Sequence, residues 1–389
     1  MERYILYLTF LSVAFGYATP HYTFDAFEPD EFKLEQAQVI FRHGDRTPRK
    51  EEIYKTDPYQ PIYQKIGYGE LTHMGKIRME KFGRHLRELF GNFIGENGTD
   101  KIFAYHSGST RTENSLRMVL AGLIRPMYSV FSDIRRSDLP LTLHNDSTEF
   151  RFLTTGMKGK CSPQYLKMVE QHLNASIEES KRKEFYGIYI KSVARVTGAK
   201  PTPIAMVILY YNLFAVENMG FPRPDWCSRV DCSYLTTFAK LFAKSLTSND
   251  WMKRITAGSL LQRFLDNIRR VDGDGKKLHL YSAHDFQLTA LAQTLNFTNV
   301  PELPGYGSAL IIEKLRGKVD GRIYVRMTMR TGEKIPRTLS LKLQGCELDC
   351  PIEVFSALVK PLFPFVDDWK CTSSNFGTPN AANFNVSKE

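Results

Sequence analysis

The stretch Val39 to Pro48, VIFRHGDRTP, sets a histidine between two arginines directly after an apolar run. Arginines this close repel one another, and a turn made only for folding would avoid them. The chemistry these residue types allow is attack on phosphorus. His43 can be the nucleophile, its imidazole forming a phosphohistidine. Arg42 and Arg46 carry forked, permanently charged donors that match phosphoryl oxygens. A phosphate monoester also needs further donors for its equatorial oxygens and an acid for the leaving group. Arg111 in SGSTRTEN and His284 in YSAHDF can extend the donor set, and Asp285 can protonate the leaving oxygen. The scheme calls for no metal and no cofactor.

Each residue also has a plainer role. A lone Arg-His pair is usually a solvated basic loop, Arg111 an ion-pair partner, His284 a core histidine, and Asp285 the cap of a helix beginning at Phe286. His73 and His106 have no place in the scheme and read as structural. Gly44 reads as a backbone need, since a side chain there would crowd an anion or the turn. What favours the chemical reading is where the elements put these residues.

Leu34 to Phe41 (LEQAQVIF) ends in a run that reads as a buried strand, so the RHGDRTP segment follows a strand's carboxyl end. Thr72 can cap the next helix, with Ile77, Phe82, Leu86, Leu89 and Phe93 on its inner face. A second strand, Ile102 to Tyr105, leads to Arg111 at the turn before a helix whose Leu116, Val119, Leu120 and Leu123 face inward. The helix start also favours an anion. A third strand, Leu278 to Ser282, runs into His284 and Asp285, then a helix with Leu288, Leu291, Ala292 and Leu295 inward. In α/β sheets such turns line the crevice beyond the strand ends, so three distant segments would converge there. SALIIEKL, an Asp320-Gly321 turn and IYVRMTM read as a hairpin. The expected architecture is α/β: a three-layer sheet with helices on both faces, in residues 19–150 and 266–389. A smaller, mostly helical cap would be inserted over 151–265.

With 389 residues, 42% hydrophobic and 24% charged, the composition is that of a globular protein with a large core. The formal charge of +10 is scattered, with no basic tract or zinc-finger spacing, which argues against nucleic acid and fits small anions. The first 18 residues have the layout of a secretory signal, with an apolar run from Tyr4 to Phe15 and small residues at Gly16 and Ala18. No later run is apolar and long enough for a membrane anchor. Asn97, Asn145, Asn174, Asn296 and Asn385 stand in glycosylation triplets, consistent with secretion into an extracellular fluid. Six cysteines suit an oxidising compartment, and no His pair or second Cys-x-x-Cys completes a zinc site. Of fifteen pairings, the economical one closes Cys227–Cys232 and Cys346–Cys350 and leaves Cys161–Cys371.

RHGDRTP at 42 to 48, taken with His284-Asp285, resembles the histidine acid phosphatases, the larger-capped branch of the histidine phosphatase superfamily. The resemblance runs from about Leu34 to Cys371. DPYQPIYQKIGYGELTHMGKIRMEKFGRHLRE and GCELDCP are most similar to insect venom acid phosphatases. It implies an α/β domain interrupted by a helical one, a dimer, His43 as nucleophile, Asp285 as proton donor, and Arg42, Arg46 and His284 as phosphate ligands. Family members usually carry Arg-Ser-Thr-Asp and a second arginine six residues after the first. Here Arg111-Thr-Glu-Asn and Arg117 keep the spacing but change the inner residues, leaving Arg111 or Arg117 as the third arginine ligand.

The leading expectation is a secreted acid phosphatase acting on small phosphate monoesters, in venom or another secretory fluid. A phytase-like enzyme would use the same core, but those relatives tend to carry Ala-Arg-Tyr-Pro where Asp45-Arg46-Thr47-Pro48 stands. A mutase of the smaller branch usually reads R-H-G-E in a shorter chain. A secreted binding or allergen-like homologue without catalysis would be expected to lack the histidine or the acid, and both are here.

Overall fold

β1 (Phe32–Arg42) buries both of its faces, which is why its end reads as a nearly continuous apolar run. Ala37, Val39 and Phe41 point into one core and Ile40 into the other, while Gln38 is buried with its amide donating to the Phe264 carbonyl at 2.9 Å. The computed structural model describes residues 31–95, 98–124, 142–145, 153, 155–270 and 275–371. The leader expected over 1–18 and the acceptors Asn97 and Asn385 lie outside the described residues. Asn145, Asn174 and Asn296 are exposed.

The other strands are β2 (Ile102–His106), β3 (Leu143–Asn145), β4 (Leu278–Ala283), β5 (Ala309–Gly317), β6 (Ile323–Arg330), β7 (Thr338–Leu341) and β8 (Asp349–Pro351). They form one mixed sheet ordered β3-β2-β4-β1-β5-β6-β7, with β8 beside β6. The first four in that order run parallel, and β5 onward pair antiparallel. Register matters for the site. Arg42 lies opposite Ala283, and His106 opposite Ser282, so three parallel strands end at one level and their following loops meet. The hairpin expected around Asp320-Gly321 is the β5–β6 pair.

The helices are α1 (Gln60–Ile66), α2 (His73–Ile94), α3 (Thr110–Ile124), α4 (Thr155–Lys158), α5 (Ser162–Glu178), α6 (Lys183–Thr197), α7 (Pro203–Asn218), α8 (Leu235–Ser245), α9 (Asp250–Lys253), α10 (Ser259–Arg269), α11 (Asp285–Thr294) and α12 (Ile352–Val359). α2 and α3 cover one face of the sheet, and α10, α11 and α12 the other, giving the expected three layers. A separate core under α5 to α8 includes Leu173, Val193, Met206, Leu213 and Phe238. The boundary expected at 265 falls inside α10, because Leu261, Phe264 and Leu265 pack on the sheet rather than on those helices.

Thr72 caps α2 as expected, its hydroxyl accepting from Gly75 N–H at 3.1 Å. The buried face differs from the expected one: Met79, Phe82, Leu86, Phe90 and Ile94 face inward, whereas Leu89 is 42% exposed and Ile77 half-buried. Glycines set this rotation. A methyl group on Gly83 would strike the Val119 backbone of α3, and one on Gly122 would strike the Glu80 backbone of α2. The helices therefore meet backbone to backbone along that line, and the large side chains fall beside it. α3 buries Leu116, Val119, Leu120 and Leu123 as expected, but begins at Thr110, so Arg111 sits inside its first turn and not before it.

The disulfides are Cys161–Cys371, Cys227–Cys232 and Cys346–Cys350, the pairing the spacing favoured. No helix among the described residues is long and apolar enough to cross a membrane.

Candidate active site

The loop after β1 carries His43, and two bonds define the state of its ring. Nδ1 lies 2.8 Å from the Gly44 carbonyl, which can only accept, so Nδ1 carries the proton. Nε2 accepts from the Nε–H of Arg111 at 3.2 Å. The lone pair that can attack is therefore on Nε2, and it faces an arginine. Burial holds the pKa of His43 well below the ordinary histidine value, and Arg111, His284, Arg42 and Arg46 push the same way. Both effects favour the neutral form of the ring.

Gly44 itself has a different reason from the one expected. A methyl group there would come within 2.6 Å of the Gly75 carbonyl and 2.9 Å of Met79, so the missing side chain admits helix α2, not an anion. The Gly44 N–H donates to Ser115 Oγ of α3 at 3.0 Å, which ties the His43 loop to the helix that carries Arg111. Asp45 points away from the site and is buried against Arg78 of α2, at 2.6 and 3.1 Å.

The arginines are gathered as the spacing suggested, each with its own anchor. Arg42 donates to the Pro304 carbonyl at 2.6 Å and pairs with Asp285 at 3.0 Å, and its guanidinium lies over the Tyr306 ring at 4.3 Å and the Phe214 ring at 5.1 Å. Arg46 is held end-on by Glu52, at 2.7 and 2.8 Å, with a third bond to the Thr47 carbonyl at 3.0 Å. These contacts use both hydrogens of Nη1 and one of Nη2. The side-on fork of Nε–H and Nη2–H is left over, which is the edge that suits a phosphoryl group. Glu52 is 0% exposed; burial alone would raise its pKa, but Arg46 and Arg49 outweigh it and hold the carboxyl at about 2. Arg111 is half-buried, and its desolvation, with Arg46 and Arg49 close by, lowers its pKa to about 10. Arg117 lies one helical turn and more along α3 and pairs with Glu113 at 2.6 Å.

His284 and Asp285 open α11. His284 is the N-cap, and its backbone N–H donates to the Gln287 side chain at 3.0 Å. Asp285, expected as the possible cap, is instead the first helical residue; its Oδ1 accepts from Phe286 N–H at 3.0 Å and its Oδ2 pairs with Arg42. Asp285 is the accessible member of this pair, with 19% of its side chain exposed. Nδ1 of His284 accepts from Arg111 at 3.4 Å, so Nε2 donates to Ser107 Oγ at 2.7 Å. Ser107 then continues to Thr112 at 3.1 Å and Thr112 to the Ser109 carbonyl at 2.8 Å. Burial, then Arg111 and Lys158, keep the His284 pKa well below its ordinary value. In this arrangement His284 orients Arg111; for the donor role expected of it Nδ1 must carry a proton, which a bound anion favours by raising the pKa of the ring.

Several contributors escaped the sequence reading. Glu52 sits in KEE, which looks like a solvated charge run. Ser107 and Ser115 gave no signal at all. Phe214, with Tyr210 stacked on it at 5.9 Å, belongs to α7, which is apolar all round and reads only as core. Tyr306 comes from the loop before β5.

Most of the chain resembles known proteins. Residues 33–330 match the family model of the histidine phosphatase superfamily, branch 2. The chain is 28% identical over 367 residues to a venom acid phosphatase of Apis mellifera, covering 91% of each chain. It is 29% identical over 346 residues to a lysosomal acid phosphatase of Rattus norvegicus, covering 85% of this chain and 78% of the other. Among solved structures, the phytase of Citrobacter braakii superposes with a TM-score of 0.65 over 87% of this chain and 99% of its own, at 18% identity, a likeness of fold. The matched span contains every residue of the constellation, from Arg42 to Asp285, and the chain therefore belongs to the histidine phosphatase superfamily, branch 2.

Proposed function

We propose that the protein is a secreted acid phosphatase that hydrolyses small phosphate monoesters through a phosphohistidine on His43. The observation that carries this reading is the state of that ring: neutral, protonated on Nδ1 by way of Gly44, and with Nε2 facing a wall of arginines. Nε2 attacks phosphorus while the ester P–O bond breaks. Arg42, Arg46 and Arg111 take up charge on the equatorial oxygens, and Asp285 gives its proton to the leaving oxygen. Water then attacks phosphorus, losing a proton to Asp285 as the Nε2–P bond breaks, and His43 is regenerated with release of inorganic phosphate. The helices of α5 to α9 act as a cap, and Phe214 brings an apolar wall to the arginine cluster. Export is supported by three disulfides, by the exposed acceptors Asn145, Asn174 and Asn296, and by the likeness to a venom enzyme. A homodimer is part of the same reading, carried by family resemblance alone.

The phytase-like alternative shares the fold and core, and nothing at this site favours it specifically. An inactive homologue would be expected to lack the histidine or the acid, and His43 and Asp285 are both present. The test is hydrolysis of p-nitrophenyl phosphate at acidic pH by wild type and His43→Ala, followed by acid quenching with labelled substrate. Label retained on wild type at His43, and neither label nor turnover in the alanine variant, is the expected result. Normal turnover by His43→Ala would sink the reading.

A further inference from the structure

Tyr306 lies inside the site and has no role in the scheme above. Its loop is fastened to the nucleophile loop on the far side of the ring: Gly307 N–H donates to the His43 carbonyl at 3.4 Å, and Arg42 N–H to the Ser308 carbonyl at 2.9 Å. The ring is fixed from three directions. Arg42 lies over it at 4.3 Å, the His43 ring is 5.6 Å away at 41°, and the Phe214 ring is 5.0 Å away. The residue is 1% exposed, and its hydroxyl has no hydrogen-bond partner among the described residues. The Nε–H of Arg42, equally buried, has none either.

A phenol left this way is costly relative to a satisfied one. A phenylalanine would give the same ring stack without that cost, so packing does not explain the oxygen. The surroundings are cationic. The hydroxyl feels Arg46 and Arg42 most strongly among its charged neighbours, and it in turn acts on Arg46 and Arg111, the other two arginines of the site. What such a place lacks is an anionic acceptor.

We infer that the Tyr306 hydroxyl is a fourth, uncharged donor to the phosphoryl group, binding a non-bridging oxygen alongside Arg42 and Arg46. This rests on the phosphatase reading and adds a ligand to the same site. Burial raises the phenol's pKa, so the proton stays in place and the group donates in the working range of the enzyme. Because a neutral donor responds to oxygen charge, it contributes to binding of orthophosphate and vanadate as well as to turnover.

The experiment compares full-length wild type with Tyr306→Phe. Measured quantities are kcat/KM on p-nitrophenyl phosphate, the inhibition constants of inorganic phosphate and vanadate, and the midpoint of thermal unfolding. A hydrogen bond to a charged acceptor predicts a roughly 10- to 100-fold fall in kcat/KM and a comparable rise in both inhibition constants. The unfolding midpoint should be unchanged or higher, since an unpartnered hydroxyl has gone. Unaltered kinetics and inhibition in the variant overturn the inference, and so does a variant that unfolds early or fails to fold, which would mean the hydroxyl serves the scaffold. Wild-type protein that neither turns over phosphate esters nor binds vanadate would instead remove the phosphatase reading itself.

Discussion

The Nε–H of Arg111 donates to Nε2 of His43 at 3.2 Å, and so occupies the same lone pair that reaches phosphorus in the proposed mechanism. Arg111 must transfer its bond from the imidazole to a phosphoryl oxygen as substrate enters. On the proposed mechanism the arginine serves twice, first holding the ring in the attacking tautomer and then stabilising the charge that attack creates.

Two effects of opposite sign follow for Arg111→Ala. Turnover should fall roughly 10²-fold or more, as when a charge-stabilising donor is lost. Acylation of His43 by diethyl pyrocarbonate should become faster, because the lone pair is uncovered. Turnover and peptide mapping of the modified histidine read both. Wild-type turnover would move the third ligand elsewhere, with Arg117 the next residue to test.

Asp285→Asn keeps a side chain able to accept from Phe286 N–H but has no proton to give. Hydrolysis of alkyl phosphates should slow far more than that of p-nitrophenyl phosphate, whose leaving group departs with less help. Equal slowing of both would assign Asp285 to binding or structure. For wild type, activity should be greatest in mildly acidic solution and decline as pH rises.

Glu52 touches no substrate in this scheme, yet it decides which edge of Arg46 is presented. Replacing it with Gln leaves Arg46 and Arg49 without their shared counter-charge. Removing one partner of a buried ion pair costs about 3–5 kcal/mol, so the unfolding midpoint should drop. If the residue also positions Arg46, KM and the phosphate inhibition constant should rise about 10-fold, and Glu52→Asp should restore part of both. A lower midpoint with unchanged kinetics would leave Glu52 a scaffold residue only.

The site histidines make stability depend on pH in a fixed direction. His43 and His284 are kept neutral in the fold, whereas in the unfolded chain each takes a proton near pH ~6.5. Below that pH the unfolded state binds more protons than the native one, so their contribution is present above about pH 6.5 and is lost as pH falls. Glu52 acts in the same direction much lower, between the ordinary carboxyl range and about 2. The unfolding midpoint should therefore decline from pH 7.5 to pH 5, less steeply in His284→Asn. Saturating phosphate should reduce the decline, because the anion lets the histidines accept protons. A variant as acid-sensitive as wild type would locate the effect outside the site.

The candidate residues that the sequence made legible are those on the segments that follow strand ends. Arg42, Arg111, His284 and Asp285 each follow a short apolar run, and β-strand register then brings them level, so type and position were both readable. Glu52 was not, since its burial comes from Arg46 six residues earlier and from Arg49, a folding-back that no periodicity records. Tyr306 and Phe214 were hidden for another reason: aromatic residues in apolar surroundings read as core, and these two are core on one side and site on the other. The face of α2 was misplaced because leucine and phenylalanine advertise burial, while the contact was made by glycines.

Those glycines have a consequence for where the enzyme is fragile. Helix α2 acts as a gauge block between two parts: Gly75 seats the loop of His43, and Gly83 with Gly122 seats α3, which bears Arg111. The spacing between His43 and Arg111 is thus machined by absent methyl groups at helix contacts outside the pocket. Drift at those positions would throw the two out of alignment while every residue in the pocket stayed the same.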